Sequence, residues 1–77
     1  MESLLYNYTG LTLRGLRRLK TLVRLGERGT TWRSLYAGWM GLRHTFDRHD
    51  YVRDVGDRRV ATDRAREVVR QFGWLVP

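Results

Sequence analysis

Cysteine is absent from the 77-residue chain, and proline and lysine each occur once, at Pro77 and Lys20. Without cysteine, disulfides cannot hold the fold together and thiolates cannot bind a metal. No apolar run approaches the roughly 20 residues that a membrane-spanning helix needs, and residues 1–5 lack the basic segment of a signal peptide. We therefore expect one small cytoplasmic domain with no membrane contact, in which residues 1–10 form an N-terminal arm and residues 11–76 a helical core.

The sequence is strongly basic, since it has 15 basic and eight acidic residues and a formal net charge of +7. All the basic residues except one are arginine. The planar guanidinium suits bidentate contacts to phosphate and guanine, although codon usage in a GC-rich genome explains the same bias. The excess is largest in residues 1–42, where seven basic residues meet two acidic ones. Such a potential attracts polyanions, so nucleic acid is the expected partner.

Apolar residues recur at helical intervals over residues 11–25, with Leu16 and Leu19 on the inward side. This spacing predicts a helix, and Gly26 follows where a left-handed C-cap belongs. Residues 30–39 begin with threonines suited to N-capping and predict a second, shorter helix of about two turns. Because the connection is short, these two helices must pack against each other.

The clearest helical pattern covers residues 60–72 and ends at Gly73. Its inward stripe consists of Ala61, Ala65, Val68 and Phe72. Thr62 or Asp63 caps the beginning, where an acidic residue also favours the positive end of the helix dipole. After the glycine, residues 74–76 are expected to form a short extended segment.

Residues 43–59 are compatible with two conformations. One is a short helix over residues 44–55 with its apolar side chains partly buried. The other is a β-hairpin of residues 51–55 and 58–62, which would turn at Gly56–Asp57, a dipeptide acceptable in a two-residue turn. The pattern favours the helix, and the hairpin stays open as the alternative.

The aromatic residues allow both core and binding roles. Trp39 and Trp74 are expected in the core, because a tryptophan buries about 150–250 Å² and a small domain needs that area. Trp32 fits a core position and a base-stacking position equally well. Tyr6 and Tyr8 are expected to pack the N-terminal arm onto the helices.

No residue pattern points to catalysis. One cluster has residue types that bind metals, and it consists of His44, Asp47, His49, Asp50 and Asp54. Its spacing matches no zinc pattern, and nearby arginines offer ion-pair partners instead. Neither serine is accompanied by a base or an oxyanion signature, and no glycine-rich phosphate loop is present. We therefore expect no enzyme activity, no metal and no cofactor.

Arginines at helical spacing predict at least one continuously positive face. The predicted nucleic-acid contacts are Arg14, Arg17, Arg18, Lys20, Arg24, Arg33, Arg59, Arg64, Arg66 and Arg70. In this hypothesis the last four approach the groove from a recognition helix, whereas the earlier ones hold phosphates.

The chain resembles a helix-turn-helix of winged-helix type in three segments: TWRSLY at residues 31–36, WMGLR at residues 39–43 and AREVVRQFGWL at residues 65–75. They are similar to T-x-R-x-[IVL]-Y, W-x-G-L and A-x-x-x-L-x-x-x-G-W-[IVL] patterns in small C-terminal winged-helix domains of primase–helicase replication proteins from phages, plasmids and integrated elements. The resemblance covers about residues 12–76. It departs from the family between Leu42 and Ala65, where the segment is longer, and at the C-terminus, which leaves room for one strand.

We therefore expect a mainly α domain of three or four helices, packed as a helix-turn-helix or winged-helix-like fold with at most a small β element. The expected function is non-enzymatic binding of duplex DNA in replication or transcription control of a phage or mobile element. One alternative is a phage-type protein that blocks a host polymerase or nuclease defence complex through its basic face. Another is a module that guides primer–template to a primase and prefers single strands or junctions.

Overall fold

Five helices and one β-hairpin follow one another in the computed structural model, which describes residues 2–77. The helices are α1 (Glu2–Thr9), α2 (Leu13–Leu25), α3 (Trp32–Leu35), α4 (Leu42–Arg48) and α5 (Asp63–Phe72), and the strands are β1 (Val52–Val55) and β2 (Arg58–Ala61). Short 3-10 turns at Gly26–Arg28 and Gly73–Leu75 follow α2 and α5. The predicted mainly α fold with a small β element is confirmed. Within the described chain, no helix has the length and apolar character to cross a membrane.

Threonine side chains fix the beginnings of three helices. Thr12, Thr31 and Thr62 each accept a hydrogen bond of 3.2 Å from the backbone N–H three residues further on. This is the N-cap interaction that supplies a partner for an otherwise unpaired donor. The last helix therefore begins at Asp63, and residues 60–61, which the periodicity assigned to it, belong to β2.

Residues 43–59 form the β-hairpin that the sequence left open as the alternative, and the shorter helix α4 precedes it. A helix over residues 44–55 is wrong, because α4 ends at Arg48 and the chain reverses direction at Asp50, where φ is 59°. The Tyr51 N–H turns back to the Phe46 carbonyl at 2.9 Å. β1 and β2 then pair antiparallel around the two-residue turn Gly56–Asp57.

A further extended residue lies on the edge of β2 opposite to β1. Thr30 and Arg59 exchange two backbone hydrogen bonds, of 2.9 and 2.7 Å. Gly29 makes this close approach possible, since its φ is 61° and a Cβ there would clash with the Arg59 carbonyl oxygen. From α2 to β2 the chain therefore runs helix, bridge, helix, turn, helix and hairpin, which is the order of a winged-helix-like domain.

The core lies between the helices and the inner side of the hairpin. Its buried apolar residues are Leu5, Leu11, Leu16, Leu19, Leu22, Leu35, Tyr36, Leu42, Phe46, Tyr51, Val52, Val60, Ala61, Ala65, Val68 and Val76. Three rings pack edge to face in sequence, Tyr36 on Phe46 at 6.0 Å and Phe46 on Tyr51 at 6.1 Å between centroids. This row of rings connects α3, α4 and the beginning of the hairpin.

Three aromatic residues differ from the sequence predictions. Trp74 is 67% exposed, and Tyr6 and Tyr8 are 59% and 67% exposed, so none of them is in the core or packs the arm onto it. Trp74 belongs to a 3-10 turn rather than an extended segment, and its indole N–H donates to the Gln71 carbonyl at 2.9 Å. Trp39 is half-buried against the core, as expected.

The predicted N-terminal arm is helical over its described part, and residue 1 lies outside that part. Leu5 and Thr9 are buried on the inner side of α1. The Tyr51 hydroxyl donates to the Thr9 carbonyl at 2.6 Å, and the Thr9 hydroxyl donates to the Leu5 carbonyl at 2.6 Å. The first of these contacts attaches α1 to the residue that precedes β1.

Replacing Gly29 with alanine should destabilise the domain more than replacing Gly26. Both glycines have φ near 60°, at 61° and 62°, with ψ of −157° and −142°, a region that costs other residues about 1–3 kcal/mol. A Cβ at Gly26 meets nothing within 4 Å, whereas one at Gly29 clashes with β2 and would separate Thr30 from it. Because two hydrogen bonds would be lost as well, we expect Gly29→Ala to lower the free energy of unfolding by about 2 kcal/mol more.

Urea unfolding followed by circular dichroism measures this difference. Gly26→Ala is the matched control, because it carries the same backbone penalty without the clash. Equal losses in the two variants would contradict the role of the Thr30 bridge.

Stability should also fall in alkaline solution. Burial raises the pKa of Tyr51 above its ordinary value of 10.0, against the opposing effect of the nearby Arg64 charge, and burial raises the pKa of Tyr36 as well. A pKa that is higher in the folded state contributes stability fully below the unfolded pKa and loses it as pH rises through the folded value. The urea midpoint should therefore drop above a pH of about 10.

Tyr51→Phe isolates one of these groups. The substitution should lower the free energy of unfolding by about 1 kcal/mol at neutral pH, because the hydrogen bond to the Thr9 carbonyl is lost. It should also make the fall of the urea midpoint in alkaline solution shallower. The exposed Tyr8→Phe serves as control and should leave the neutral midpoint unchanged. An alkaline drop as steep in Tyr51→Phe as in the parent chain would contradict this account.

Candidate nucleic-acid interface

α3 and α4 form the helix-turn-helix of the domain. They are joined by residues 36–41, in which Gly38 has a φ of 71° that allows the tight reversal. α4 is the helix after the turn, which is the element that enters the major groove in helix-turn-helix proteins. The β1–β2 hairpin follows it directly, in the position of a wing.

Arg59 connects α3, α4 and the hairpin in one ion-pair cluster. Its side chain is 5% exposed, and its Nη1 donates to the Tyr36 hydroxyl at 2.8 Å and to Asp47 Oδ1 at 2.7 Å. Its Nε lies 3.0 Å from Asp54 Oδ1, although the N–H does not point at that oxygen. The predicted groove contact from Arg59 is therefore wrong, because the guanidinium is enclosed by its own domain.

Trp32 completes this cluster on α3. The Cζ atoms of Arg59 and Arg43 lie 4.3 and 3.8 Å from its ring centroid, within cation–π range. Trp32 is thus covered by guanidinium groups and is not a free stacking platform. Burial lowers the pKa of Arg59, but its hydrogen bond to Asp47 and its contact with Tyr36 outweigh this effect and raise the pKa above its ordinary value.

Two predicted phosphate contacts on α2 are bound to backbone carbonyls. Arg18 donates to the Leu35 and Ala37 carbonyl oxygens at 2.9 and 2.8 Å. Lys20 donates to two carbonyl oxygens within residues 73–76, at 2.9 and 2.7 Å. These side chains satisfy acceptors at the end of α3 and near the C-terminus, so their first role is to stabilise the fold.

The exposed face of α5 carries charges of both signs. Arg66 Nη1 lies 2.8 Å from Asp63, and Arg70 pairs with Glu67, each partner being one helical turn earlier. Arg64 is exposed beside Tyr51. The sequence hypothesis made α5 the recognition helix, but α5 comes after the hairpin and packs on α2, so it is not the helix that follows the turn.

The remaining arginines are exposed, with no described carboxylate within 4.0 Å. They are Arg14, Arg17, Arg24, Arg28, Arg33, Arg48, Arg53, Arg58 and Arg64. Five of them lie on α2, the following 3-10 turn and α3, where Glu27 is the only acidic residue of residues 13–33. Arg14 is additionally oriented by Trp39, whose ring centroid lies 4.9 Å from its Cζ.

Sequence reasoning missed Arg48, Arg53 and Arg58, which lie on α4 and the hairpin. The sequence analysis treated the arginines in and around residues 44–54 as ion-pair partners of the neighbouring acidic residues. The Gly56–Asp57 turn is the signal that could have found Arg53 and Arg58, because a hairpin around this turn leaves both side chains exposed.

The residues of the metal-like cluster make other contacts. Asp47 and Asp54 face Arg59, and the His49 ring stacks on Tyr51 with centroids 5.6 Å apart. Across residues 2–77, no three His, Cys, Asp or Glu side chains are grouped so that they could hold a metal ion.

No protein-family model, curated protein or solved structure matches the chain. The resemblance to phage and mobile-element replication domains therefore stays a prediction.

Replacing Arg59 with alanine should lower the free energy of unfolding by about 2–4 kcal/mol, because Asp47 and Asp54 lose a shared buried partner. The value lies below that for fully buried pairs, since the two carboxylates are 43% and 54% exposed and regain water. Urea unfolding measures the loss. Arg58→Ala, at the exposed neighbouring position, is the control and should change stability by less than about 0.5 kcal/mol. Similar losses in both variants would contradict the importance of the cluster.

Proposed function

We propose that the domain binds duplex DNA, with α4 in the major groove and the β1–β2 hairpin against the adjacent backbone. The observation that carries this proposal is a helix-turn-helix followed by a hairpin in which every element presents an exposed arginine without a described carboxylate partner. These arginines are Arg33 on α3, Arg48 on α4, and Arg53 and Arg58 on the hairpin. No catalytic step is part of this function.

The outward face of α4 suits a groove. Arg43, His44, Asp47 and Arg48 are exposed, whereas Leu42 and Phe46 face the core. The carboxylate of Asp47 is balanced by Arg59 and Arg43, so it adds little repulsion toward phosphates. A helix of seven residues is about 10 Å long, and the major groove of about 12 Å width admits one helix.

Backbone contacts come from the strongly positive region between residues 13 and 33. Its exposed arginines are Arg14, Arg17, Arg24, Arg28 and Arg33. Contacts of this kind supply affinity without sequence preference, and they make binding depend on salt through counterion release. In this arrangement α4 replaces α5 as the helix that reads the groove.

A role in replication or transcription control of a phage or mobile element is supported by the resemblance of residues 31–36, 39–43 and 65–75 to winged-helix domains of replication proteins.

A second candidate function is inhibition of a host polymerase or nuclease by docking on it. Leu4 and Tyr8 are one helical turn apart on α1 and are 47% and 67% exposed, which favours an apolar protein contact in addition to the basic surface. Aromatic anchors of this kind often contribute most of the energy of a protein interface.

Binding of fluorescent duplex, single-stranded and junction DNA across a salt series tests the proposal. The triple variant Arg48→Ala, Arg53→Ala, Arg58→Ala should bind duplex at least tenfold more weakly, and the slope of log affinity against log salt should fall by about three. The double variant Arg66→Ala, Arg70→Ala is the control, because those side chains are paired with Asp63 and Glu67, and it should change affinity by about threefold or less.

Equal losses in the triple and double variants would contradict the placement of α4 and the hairpin on DNA. Absence of duplex binding at moderate salt, together with specific binding to a polymerase or nuclease, would support the second candidate. Preference for junctions or single strands would support a primer–template role.

A further inference from the structure

We infer that Arg43 recognises a guanine in the bound duplex, and this inference rests on the proposed function. Arg43 is in the first turn of α4, on the outward face, with its side chain 44% exposed. Two neighbours determine its orientation, Trp32 on α3 and Asp47 on α4.

Trp32 fixes the plane of the guanidinium. The Cζ atom of Arg43 lies 3.8 Å from the ring centroid, the shortest of the cation–π distances in the described chain. Such a stack holds a flexible side chain through the face of its guanidinium and leaves the nitrogen edges available. Trp32 itself is held by Arg59 and by an edge contact to Tyr36 at 6.2 Å, so the support is anchored in the core.

Asp47 determines which edge remains available. Its Oδ2 lies 3.7 Å from the Nε of Arg43, and its Oδ1 accepts the hydrogen bond from Arg59. The carboxylate is therefore near the Nε side of Arg43. The two terminal nitrogens of Arg43 have no hydrogen-bond partner among the described residues.

Two terminal N–H groups of a fixed guanidinium match the N7 and O6 acceptors of guanine in the major groove. A side chain already held in one orientation loses less conformational entropy when it binds. Arg48, Arg53 and Arg58 have neither a stacked ring nor a described carboxylate partner, which suits adaptable contacts to phosphate. Arg14 is stacked on Trp39, but it lies on α2 and not on the helix after the turn.

Selection of binding sites from a random duplex library tests the inference. The parent chain should enrich sites with guanine at one position, and replacing that guanine by adenine should weaken binding about tenfold. Replacing it by 7-deazaguanine, which lacks the N7 acceptor, should weaken binding of the parent chain as well. Arg43→Ala should lose both effects, while its affinity for random duplex changes by about threefold or less.

Two further variants control for charge and for position. Arg43→Lys keeps the charge but not the planar pair of donors, so it should lose most of the guanine preference. Arg48→Ala removes a neighbouring charge and should retain the preference while binding all sequences more weakly. Urea midpoints close to that of the parent chain would show that the variants are folded.

The outcomes separate this inference from the function on which it rests. Duplex binding without an enriched guanine, or a guanine preference that persists in Arg43→Ala, would overturn the role of Arg43 and leave DNA binding intact. Failure of the parent chain to bind any duplex would overturn both.

Discussion

The fold depends on one buried positive charge, the guanidinium of Arg59. Its polar contacts reach Tyr36 directly after α3, Asp47 on α4 and Asp54 on β1, and its backbone bonds to Thr30. A domain of this size has little apolar surface to bury, so a charge that joins three elements sets their relative orientation. Removing a charged group from water is costly unless it is paired, and the surrounding acceptors and rings meet that condition. The helix-turn-helix and the hairpin are thereby held as one unit.

The arginines of this protein divide into structural and available groups. Arg18, like Lys20, reaches across to backbone carbonyls, and Arg59 lies inside the domain. Arg66 and Arg70 pair within α5 and Arg43 pairs with Asp47 on α4, whereas the rest project from α2, the 3-10 turn after it, α3, α4, the hairpin and α5. The net charge does not show which arginines are structural and which are available, because every arginine contributes equally to it. The distinction comes from which acceptors the folded chain brings within reach, and it decides which side chains are available to a polyanion.

Local patterns were sufficient to predict α2 and most of α5, since an apolar stripe and a threonine or glycine cap lie within each segment. The hairpin could be named only as an alternative, from the dipeptide at its turn. Three of the four residues of β1 are exposed, so no inward stripe marks it. The burial of Arg59 could not be predicted from local patterns either, because its partners Asp47 and Tyr36 are 12 and 23 residues away in the sequence. The sequence hypothesis therefore assigned the groove contacts to α5, whereas the fold, whose class was predicted correctly, has α4 after the turn.

The hairpin is anchored at one end only. Its ion pairs and bridge involve Asp54, Arg59 and Thr30, whereas Gly56 and Asp57 at the tip are exposed and a side chain at Gly56 would meet no neighbour within 4 Å. A longer loop at the tip would therefore leave the contacts of Asp54, Arg59 and Thr30 in place. Insertions between Gly56 and Asp57 can be accommodated without moving α4, which makes this tip a natural place for evolution, or for protein engineering, to graft additional contacts.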